Sequence, residues 1–177
     1  MFNASLKQLS DQLAEKKISS TELTTEFLKR IKQLNSEYNA FITVNEEMSL
    51  DQARSADQMI AVGQASALTG IPIAQKDIFC AKGWLTTCGS KMLSNFVSPY
   101  DAGVIERFNQ VGAINIGKTN MDEFAMGSSN LTSAFGPVTS PWKIRDDARQ
   151  FVPGGSSGGS ATVVAAGKST TSDIWGI

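Results

Sequence analysis

The most informative segment of the sequence is Val152-Pro153-Gly154-Gly155-Ser156-Ser157-Gly158-Gly159-Ser160-Ala161. Positions 154–160 hold four glycines and three serines, and a small apolar run follows at 161–167. Glycine permits backbone conformations that are closed to other residues and lets another chain segment or a ligand approach closely. A loop of this composition that opens onto a helix can hold an anion, an oxyanion or a reacting hydroxyl group.

The same composition is also typical of a flexible linker. The neighbouring residues favour a structured loop. Phe151-Val152-Pro153 precedes it, and the run 161–166 that follows consists of small and apolar residues typical of a buried segment. Gly167-Lys168-Ser169 resembles the end of a phosphate-binding P-loop. That motif requires a glycine at position 162, where the chain has threonine, so we do not predict a nucleotide site there.

The absence of histidine is the most useful compositional fact. It excludes Ser-His-Asp and Cys-His catalysis by residues of this chain alone. A general base near neutral pH must then be a carboxylate or a desolvated lysine. The net charge of −1 provides no global basic field for nucleic acid, so any contact with RNA would need a partner or a local patch.

The cysteines and the first residues of the chain favour a cytosolic protein. Cys80 and Cys88 are too few for a disulfide framework or a four-ligand metal site, so we expect two reduced thiols and no metal. Residues 1–6 lack the basic and apolar regions of a signal peptide, and no apolar run approaches membrane-spanning length. We therefore predict a cytoplasmic protein without membrane contact.

Hydrophobic periodicity predicts one α/β domain, because helical and strand patterns alternate along the chain. The predicted helices span 5–16, 20–35, 47–62 and 102–111, and the predicted strands lie at 41–44, 71–74 and 113–117. A short helix capped by Thr119 or Asn120 is expected next. The charged segment 142–150 is predicted to be a surface loop.

Lys76 lies in the largely apolar segment 68–79 and is open to two interpretations. It can be a solvated lysine at the end of a strand, since lysine is rarely buried. It can instead be a partly buried lysine whose pKa is lowered by burial, and which is then available as a base. The residues around it do not separate these alternatives.

Four segments taken together resemble the amidase signature family. They are GIPIAQKD at 70–77, KTNMDEFAMGSS at 118–129, FGPV at 135–138 and PGGSSGGS at 153–160. The glycine-serine segment is specific, and the four segments in this order form a strong set. The resemblance covers residues 1 to about 167.

The family's fold is an α/β/α sandwich around a mixed sheet, and the resemblance implies its N-terminal part here. The partial amidase domain would span residues 1–167, with N-terminal helices within 5–62. The start of the core sheet and the Gly/Ser loop would lie within 68–167. Residues 168–177 would form a divergent tail.

The family's catalytic group is Ser-Ser-Lys, which agrees with a sequence that has no histidine. Carried over by position, the resemblance implies that Lys76 is the lysine and that Ser156 is the bridging serine, held by a cis peptide bond. Met126, Gly127 and Ser128 would border the substrate amide. In this scheme the bridging serine relays a proton from the nucleophilic serine to the lysine, and later hands one to the departing ammonia.

The motif DEFAMG at 122–127 most resembles the branch of the family that hydrolyses glutamine to supply ammonia. This resemblance implies a heterotrimer with partner subunits B and C, and no cofactor in this chain. A partner would use ATP and Mg to convert Glu-tRNA(Gln) to Gln-tRNA(Gln), so tRNA would be reached only through the complex. The alternatives are a stand-alone hydrolase of another small amide and a non-functional gene fragment.

The resemblance stops after Gly167. The family continues with an apolar strand and Gly-Ser-Asp-Thr-Gly-Gly-Ser, whose last serine is the nucleophile and whose backbone forms the oxyanion hole. This sequence reads KSTTSDIWGI at 168–177, without those glycines and that final serine. We therefore expect a truncated chain or a fragment that is inactive alone and exposes unpaired strand edges.

Overall fold

The computed structural model of the protein describes residues 2, 4–143, 149–167 and 171–172. This part of the chain contains five α-helices and four short β-strands. The helices are α1 (Leu6–Ala14), α2 (Ser20–Tyr38), α3 (Glu46–Ala61), α4 (Gly103–Gln110) and α5 (Gly158–Ala165). The strands are β1 (Phe41–Thr43), β2 (Pro72–Lys76), β3 (Ile114–Thr119) and β4 (Thr171–Ser172). The helices and strands predicted from periodicity all form within a few residues of their expected bounds.

Helices α1 and α2 both begin at capping boxes. Ser5 Oγ accepts a hydrogen bond from Gln8 N, and the Gln8 side chain accepts one from Ser5 N. Ser19 and Glu22 make the same reciprocal pair at the start of α2. Each box satisfies backbone N–H groups that the first helical turn leaves without partners. The local sequence therefore fixes where both helices start.

The four strands form a mixed sheet in the order β1-β3-β2-β4. Strand β2 runs parallel to β3 and β4, whereas β1 pairs antiparallel with β3. Every residue of β2 and β3 is buried. Because parallel strands end at the same edge of a sheet, the last residue of β2, Lys76, lies opposite Thr119 at the end of β3. The predicted α/β class with a mixed sheet is confirmed.

The main hydrophobic core joins helices α1 to α3 to the sheet. Helix α1 contributes Leu9 and Leu13, and α2 contributes Leu23, Phe27 and Ile31, at the helical spacing that the sequence shows. Full burial of a side chain of this size stabilises the fold by about 1.5–3 kcal/mol relative to leaving it exposed. This packing supports the sheet whose central strands end at the candidate site.

The short helix expected after β3 differs from the prediction. Thr119 is the last residue of β3 rather than a helix cap, because pairing with β2 continues to that position. A single 3-10 turn, Glu123–Ala125, follows Asp122, and neither Thr119 nor Asn120 caps it. Phe124 has a positive φ of 49°, which is incompatible with a regular α-helix at this point.

Two of the predicted segments lie partly outside the described residues. Residues 144–148 of the predicted surface loop lie outside, while Trp142 and Lys143 are exposed. Of the predicted tail, the backbone of β4 is described and pairs with β2. None of the described helices combines the length and the apolar character that a bilayer crossing requires.

Candidate active site

Lys76 and Ser156 meet at the carboxyl edge of the sheet. Lys76 ends β2, and Ser156 lies in the loop that leads into α5. Lys76 Nζ donates a hydrogen bond of 2.7 Å to Ser156 Oγ, across a separation of 80 positions in sequence. Only 3% of Lys76 and 4% of Ser156 are exposed, so Lys76 is not a solvated strand-end lysine. The structure thus brings together the two residues to which the resemblance assigns the lysine and bridging-serine roles.

The loop around Ser156 is tightly packed. The Gly155–Ser156 peptide bond is cis. A Cβ atom at Gly155 would clash with the Asp122 carboxylate, and one at Gly159 would lie 2.5 Å from the Asn120 carbonyl oxygen. These glycines therefore permit close packing against the segment after β3. The linker interpretation of the segment is wrong, because the loop is packed in this way and continues directly into α5.

Ser160, in the first turn of α5, joins this helix to the sheet. Its Oγ lies 2.9 Å from Thr119 Oγ1, and both residues are wholly buried. Thr119 is the β3 residue opposite Lys76. The backbone N–H of Gly159 donates to the Asn120 carbonyl oxygen at 2.9 Å. These contacts fix the N-terminus of α5 beside the end of β2.

A lysine amine and a serine hydroxyl at this distance can exchange a proton directly. A lysine accepts a proton only in its neutral form, and burial disfavours the charged form. The serine can in turn take a proton from another hydroxyl group, which then becomes a nucleophile. The arrangement of Lys76 and Ser156 can therefore activate a nucleophile for attack on an amide without histidine.

The loop predicted to border a substrate amide lies close to the pair but is itself open to solvent. Met126 is 81% exposed, and Gly127 and Ser128 are also exposed. Gly127 packs against Asp122, whose backbone N–H donates to the Ser156 carbonyl oxygen at 3.0 Å. The loop is therefore connected to Ser156 through Asp122, and its contact with a substrate stays a prediction.

Sequence reasoning missed a buried ion pair between Lys118 and Asp77. Lys118 Nζ lies 3.2 Å from Asp77 Oδ1, and both side chains are wholly buried. Lys118 also donates hydrogen bonds to the Phe79 carbonyl oxygen and to Thr86 Oγ1, at 2.8 and 3.0 Å. Burial lowers the pKa of Lys118, and the neighbouring Asp77 carboxylate partly opposes this shift. A signal was available in the sequence, because Lys118 directly follows the predicted strand 113–117.

The Asp77 carboxylate also holds the segment that follows β2. Its Oδ2 accepts hydrogen bonds from Thr87 N and Thr87 Oγ1, at 2.9 and 2.5 Å. Within the described part of the chain, its Oδ1 has the Lys118 ammonium as its partner, at the ion-pair distance of 3.2 Å. Cys88 directly follows Thr87 in the chain, and its carbonyl oxygen accepts a hydrogen bond from Phe124 N. The ion pair therefore anchors a segment that supports the 3-10 turn beside the site.

Both cysteines are unpaired and half-buried in the structure. Burial raises the pKa of the Cys88 thiol, the Asp77 carboxylate raises it further, and Lys118 opposes the shift. Within the described ranges, no group of three or more carboxylate and thiol side chains is arranged to hold a metal ion.

The fold and the site together define an α/β protein with a buried lysine–serine pair at the carboxyl edge of a mixed sheet. The chain belongs to the amidase family, whose model matches residues 22–172. This match confirms the resemblance drawn from the four sequence segments.

Several curated bacterial relatives are named as the A subunit of glutamyl-tRNA(Gln) amidotransferase. The protein of Nitrosomonas eutropha is 73% identical over 166 residues, and that of Methylobacillus flagellatus is 70% identical over the same length. Each alignment covers 94% of this chain and 33% of the relative. The chain therefore spans about a third of the length of the curated relatives that it matches.

Solved structures of amidases share the fold. The A subunit of the Thermotoga maritima amidotransferase matches 95% of this chain and 33% of its own, with a TM-score of 0.74 at 36% identity. The native peptide amidase of Stenotrophomonas maltophilia matches 94% of this chain and 35% of its own, with a TM-score of 0.82 at 31% identity. The predicted amidase fold is thus confirmed, over about a third of the length of these structures.

Proposed function

We propose that this chain carries the lysine–serine part of a glutamine-hydrolysing site that supplies ammonia for the conversion of Glu-tRNA(Gln) to Gln-tRNA(Gln). The observation that carries the proposal is the buried 2.7 Å hydrogen bond from Lys76 Nζ to Ser156 Oγ. The proposal is supported by 73% identity to a protein named as the A subunit of the corresponding amidotransferase.

In the proposed reaction, Ser156 Oγ takes a proton from a nucleophilic serine while it passes its own proton to neutral Lys76. The serine oxygen bonds to the amide carbon of glutamine. Lys76 then returns the proton through Ser156 to the departing nitrogen, which leaves as ammonia, and water releases glutamate from the acyl-serine by the same relay. The sequence contains no counterpart of the family's nucleophile segment, so only the base and the relay are assigned to this chain.

The partners and the substrate contacts belong to the same proposal. Met126, Gly127 and Ser128 border the substrate amide. The full-length protein forms a heterotrimer with subunits B and C in the cytoplasm, and ATP and Mg act at one of these partners. Transfer RNA is bound through the complex, which agrees with a net charge of −1 on this chain.

A chimera tests the assignment of the lysine and the serine. Residues 1–167 of this chain replace the matching part of the Nitrosomonas eutropha relative, and the chimera is purified with the B and C subunits of that organism. We expect ammonia release from glutamine. Lys76→Ala and Ser156→Ala should each lower the rate by about 10²–10⁴-fold, the usual contribution of acid–base catalysis.

Matched controls are the exposed Lys29→Ala and Ser94→Ala, which should leave the rate unchanged. An active chimera that keeps its full rate with Lys76→Ala would contradict the proposal.

A hydrolase of another small amide is a second candidate. The TM-score with the peptide amidase is 0.82, against 0.74 with the Thermotoga maritima amidotransferase protein, so the fold is equally compatible with this candidate. The much higher sequence identity to the curated amidotransferase proteins favours the first. Genes for subunits B and C next to the coding sequence would support the glutamine-hydrolysing role, and their absence from the genome would support the second candidate.

A further inference from the structure

Asp122 lies between the two loops that form the site and is wholly buried. It follows β3 by three positions and precedes the 3-10 turn Glu123–Ala125. One of the two loops carries Ser156, and the other, residues 126–132, includes the positions predicted to border the substrate amide. Asp122 contacts both loops, through its backbone and through its side chain.

The loop that carries Ser156 rests directly on Asp122. The backbone N–H of Asp122 donates to the Ser156 carbonyl oxygen at 3.0 Å. A Cβ atom at Gly155 would clash with Asp122 Oδ2, so the Gly155 backbone is in close contact with the carboxylate. Asp122 thus contacts both residues of the Gly155–Ser156 peptide bond and holds them in place.

The other loop wraps around the Asp122 carboxylate. Oδ2 accepts a hydrogen bond from Asn130 N at 2.9 Å, and Oδ1 accepts from Thr132 Oγ1 at 2.8 Å and from Thr132 N at 3.3 Å. The Gly127 backbone packs against the same side chain, in a space that a Cβ atom would need. The position of this loop therefore depends on the orientation of the carboxylate.

The charge of Asp122 is satisfied by the loop rather than by a cation. None of the ion pairs found among the described residues includes Asp122. Hydrogen bonds to a charged acceptor are about twice as strong as those between neutral groups. Three such donors give the carboxylate one fixed orientation, and with it a fixed distance between the two loops.

We propose that Asp122 is a positioning residue, which holds Ser156 within hydrogen-bonding distance of Lys76 and couples that distance to the loop 126–132. This inference rests on the proposed function of Lys76 and Ser156. An error of about 1 Å in the placement of a reacting group can cost about 10²-fold in rate. A substrate that displaces the loop 126–132 therefore also displaces the proton relay.

Two variants weaken the contact in different ways. Asp122→Asn keeps the shape of the side chain but turns one acceptor oxygen into a donor that faces Asn130 N or Thr132. Thr132→Val removes an exposed hydroxyl that donates to Asp122 and accepts from Glu123 N at 3.1 Å, and because the residue is exposed we expect the variant to fold even if Asp122→Asn does not. Thr25→Val is the matched control, because it removes a similar 2.7 Å hydroxyl hydrogen bond to the Thr21 carbonyl oxygen, within α2.

The readout is the NMR signal of the Lys76 side chain in the full 177-residue chain, labelled with ¹³C and ¹⁵N lysine and assigned with Lys76→Arg. We expect Ser156→Ala to shift this signal, because it removes the hydrogen-bond partner of the amine. Asp122→Asn and Thr132→Val should shift it in the same direction, and Thr25→Val should leave it in place. A residue that only stabilised the fold would move the Lys76 signal no more than Thr25→Val does.

The outcomes separate the two proposals. A Lys76 signal that moves with Ser156→Ala but not with Thr132→Val or Asp122→Asn overturns the role of Asp122 alone. A signal that does not respond to Ser156→Ala overturns the lysine–serine pair, and with it the proposed function. A signal that moves equally with Thr25→Val also overturns the role of Asp122, because the shift then reports general destabilisation.

Discussion

Lys118 Nζ lies 3.2 Å from Asp77 Oδ1, with no part of either side chain exposed to solvent. The carboxylate belongs to the residue directly after Lys76, so the ion pair and the candidate base occupy the same edge of the sheet. A buried charge whose partner is removed keeps its full desolvation cost. The stability of this edge therefore depends on both members of the ion pair.

We expect Lys118→Met and Asp77→Asn to destabilise the fold by about 3–5 kcal/mol each, because each leaves a buried polar group without its partner. The loss of stability in the double variant should be smaller than the sum of the losses in the two single variants. Urea unfolding monitored by circular dichroism gives the free energy of unfolding of the unchanged chain, the two single variants and the double variant. Additive losses in the double variant would mean that the two residues act independently.

The burial of Lys118, which its Asp77 partner only partly offsets, should also make stability depend on pH. The pKa of Lys118 is lowered by burial from its usual 10.5, so above the folded pKa the unfolded chain binds more protons than the folded one. Stability contributed by Lys118 therefore rises with pH until the pH passes 10.5. Urea unfolding at a series of pH values up to about 10 should show this rise as the pH approaches 10.5. Both proteins compared carry no cysteine, because thiols also titrate in alkaline solution. The rise in stability should disappear in Lys118→Met.

The thiol of Cys88 should react slowly with thiol reagents at neutral pH. Its pKa is raised by burial and then by the Asp77 carboxylate, and only the thiolate is the nucleophile. In a Cys80→Ser background, the midpoint of the pH–rate profile should lie above that of a free cysteine. Asp77→Asn should lower this midpoint, and Lys118→Met should raise it. Opposite shifts would contradict the assigned causes.

Substitution of Gly159 should disrupt the loop around Ser156. A Cβ atom there would lie 2.5 Å from the carbonyl oxygens of Asn120 and Ala40, which are backbone atoms that cannot easily move. We expect Gly159→Ala to cost about 1–3 kcal/mol or more in the free energy of unfolding. Gly103→Ala is the control, because nothing lies within 4 Å of its Cβ position, and it should be neutral or slightly stabilising. Equal stability of the two variants would contradict the close packing.

The 177-residue chain by itself should release no ammonia from glutamine above the level of its Lys76→Ala variant. Residues 168–177 show no counterpart of the segment to which the resemblance assigns the nucleophile and the oxyanion hole. Loss of a single oxyanion donor already costs about 10²–10³-fold in rate. A coupled assay with glutamate dehydrogenase measures the ammonia. Release that Lys76→Ala abolishes would contradict this prediction.

Sequence patterns were sufficient for the local structure and for part of the site. The capping boxes at Ser5 and Ser19 and the apolar spacing along α2 predict helices because they involve residues three or four positions apart. The motif resemblance singled out Lys76 and Ser156, which the structure places in contact. The expected helix after β3 failed, because sheet pairing outweighed the local capping signal of Thr119.

The sequence by itself determined the α/β class and the exclusion of histidine chemistry by residues of this chain, and its motifs named Lys76 and Ser156 as candidates. Only the tertiary structure decided how Asp122 joins the two loops, and that Lys118 is buried against Asp77. Helix caps and periodic faces depend on neighbours along the chain, and these can be read from spacing. Contacts across 8 to 80 positions depend on how strands and loops close in space, which spacing alone does not specify.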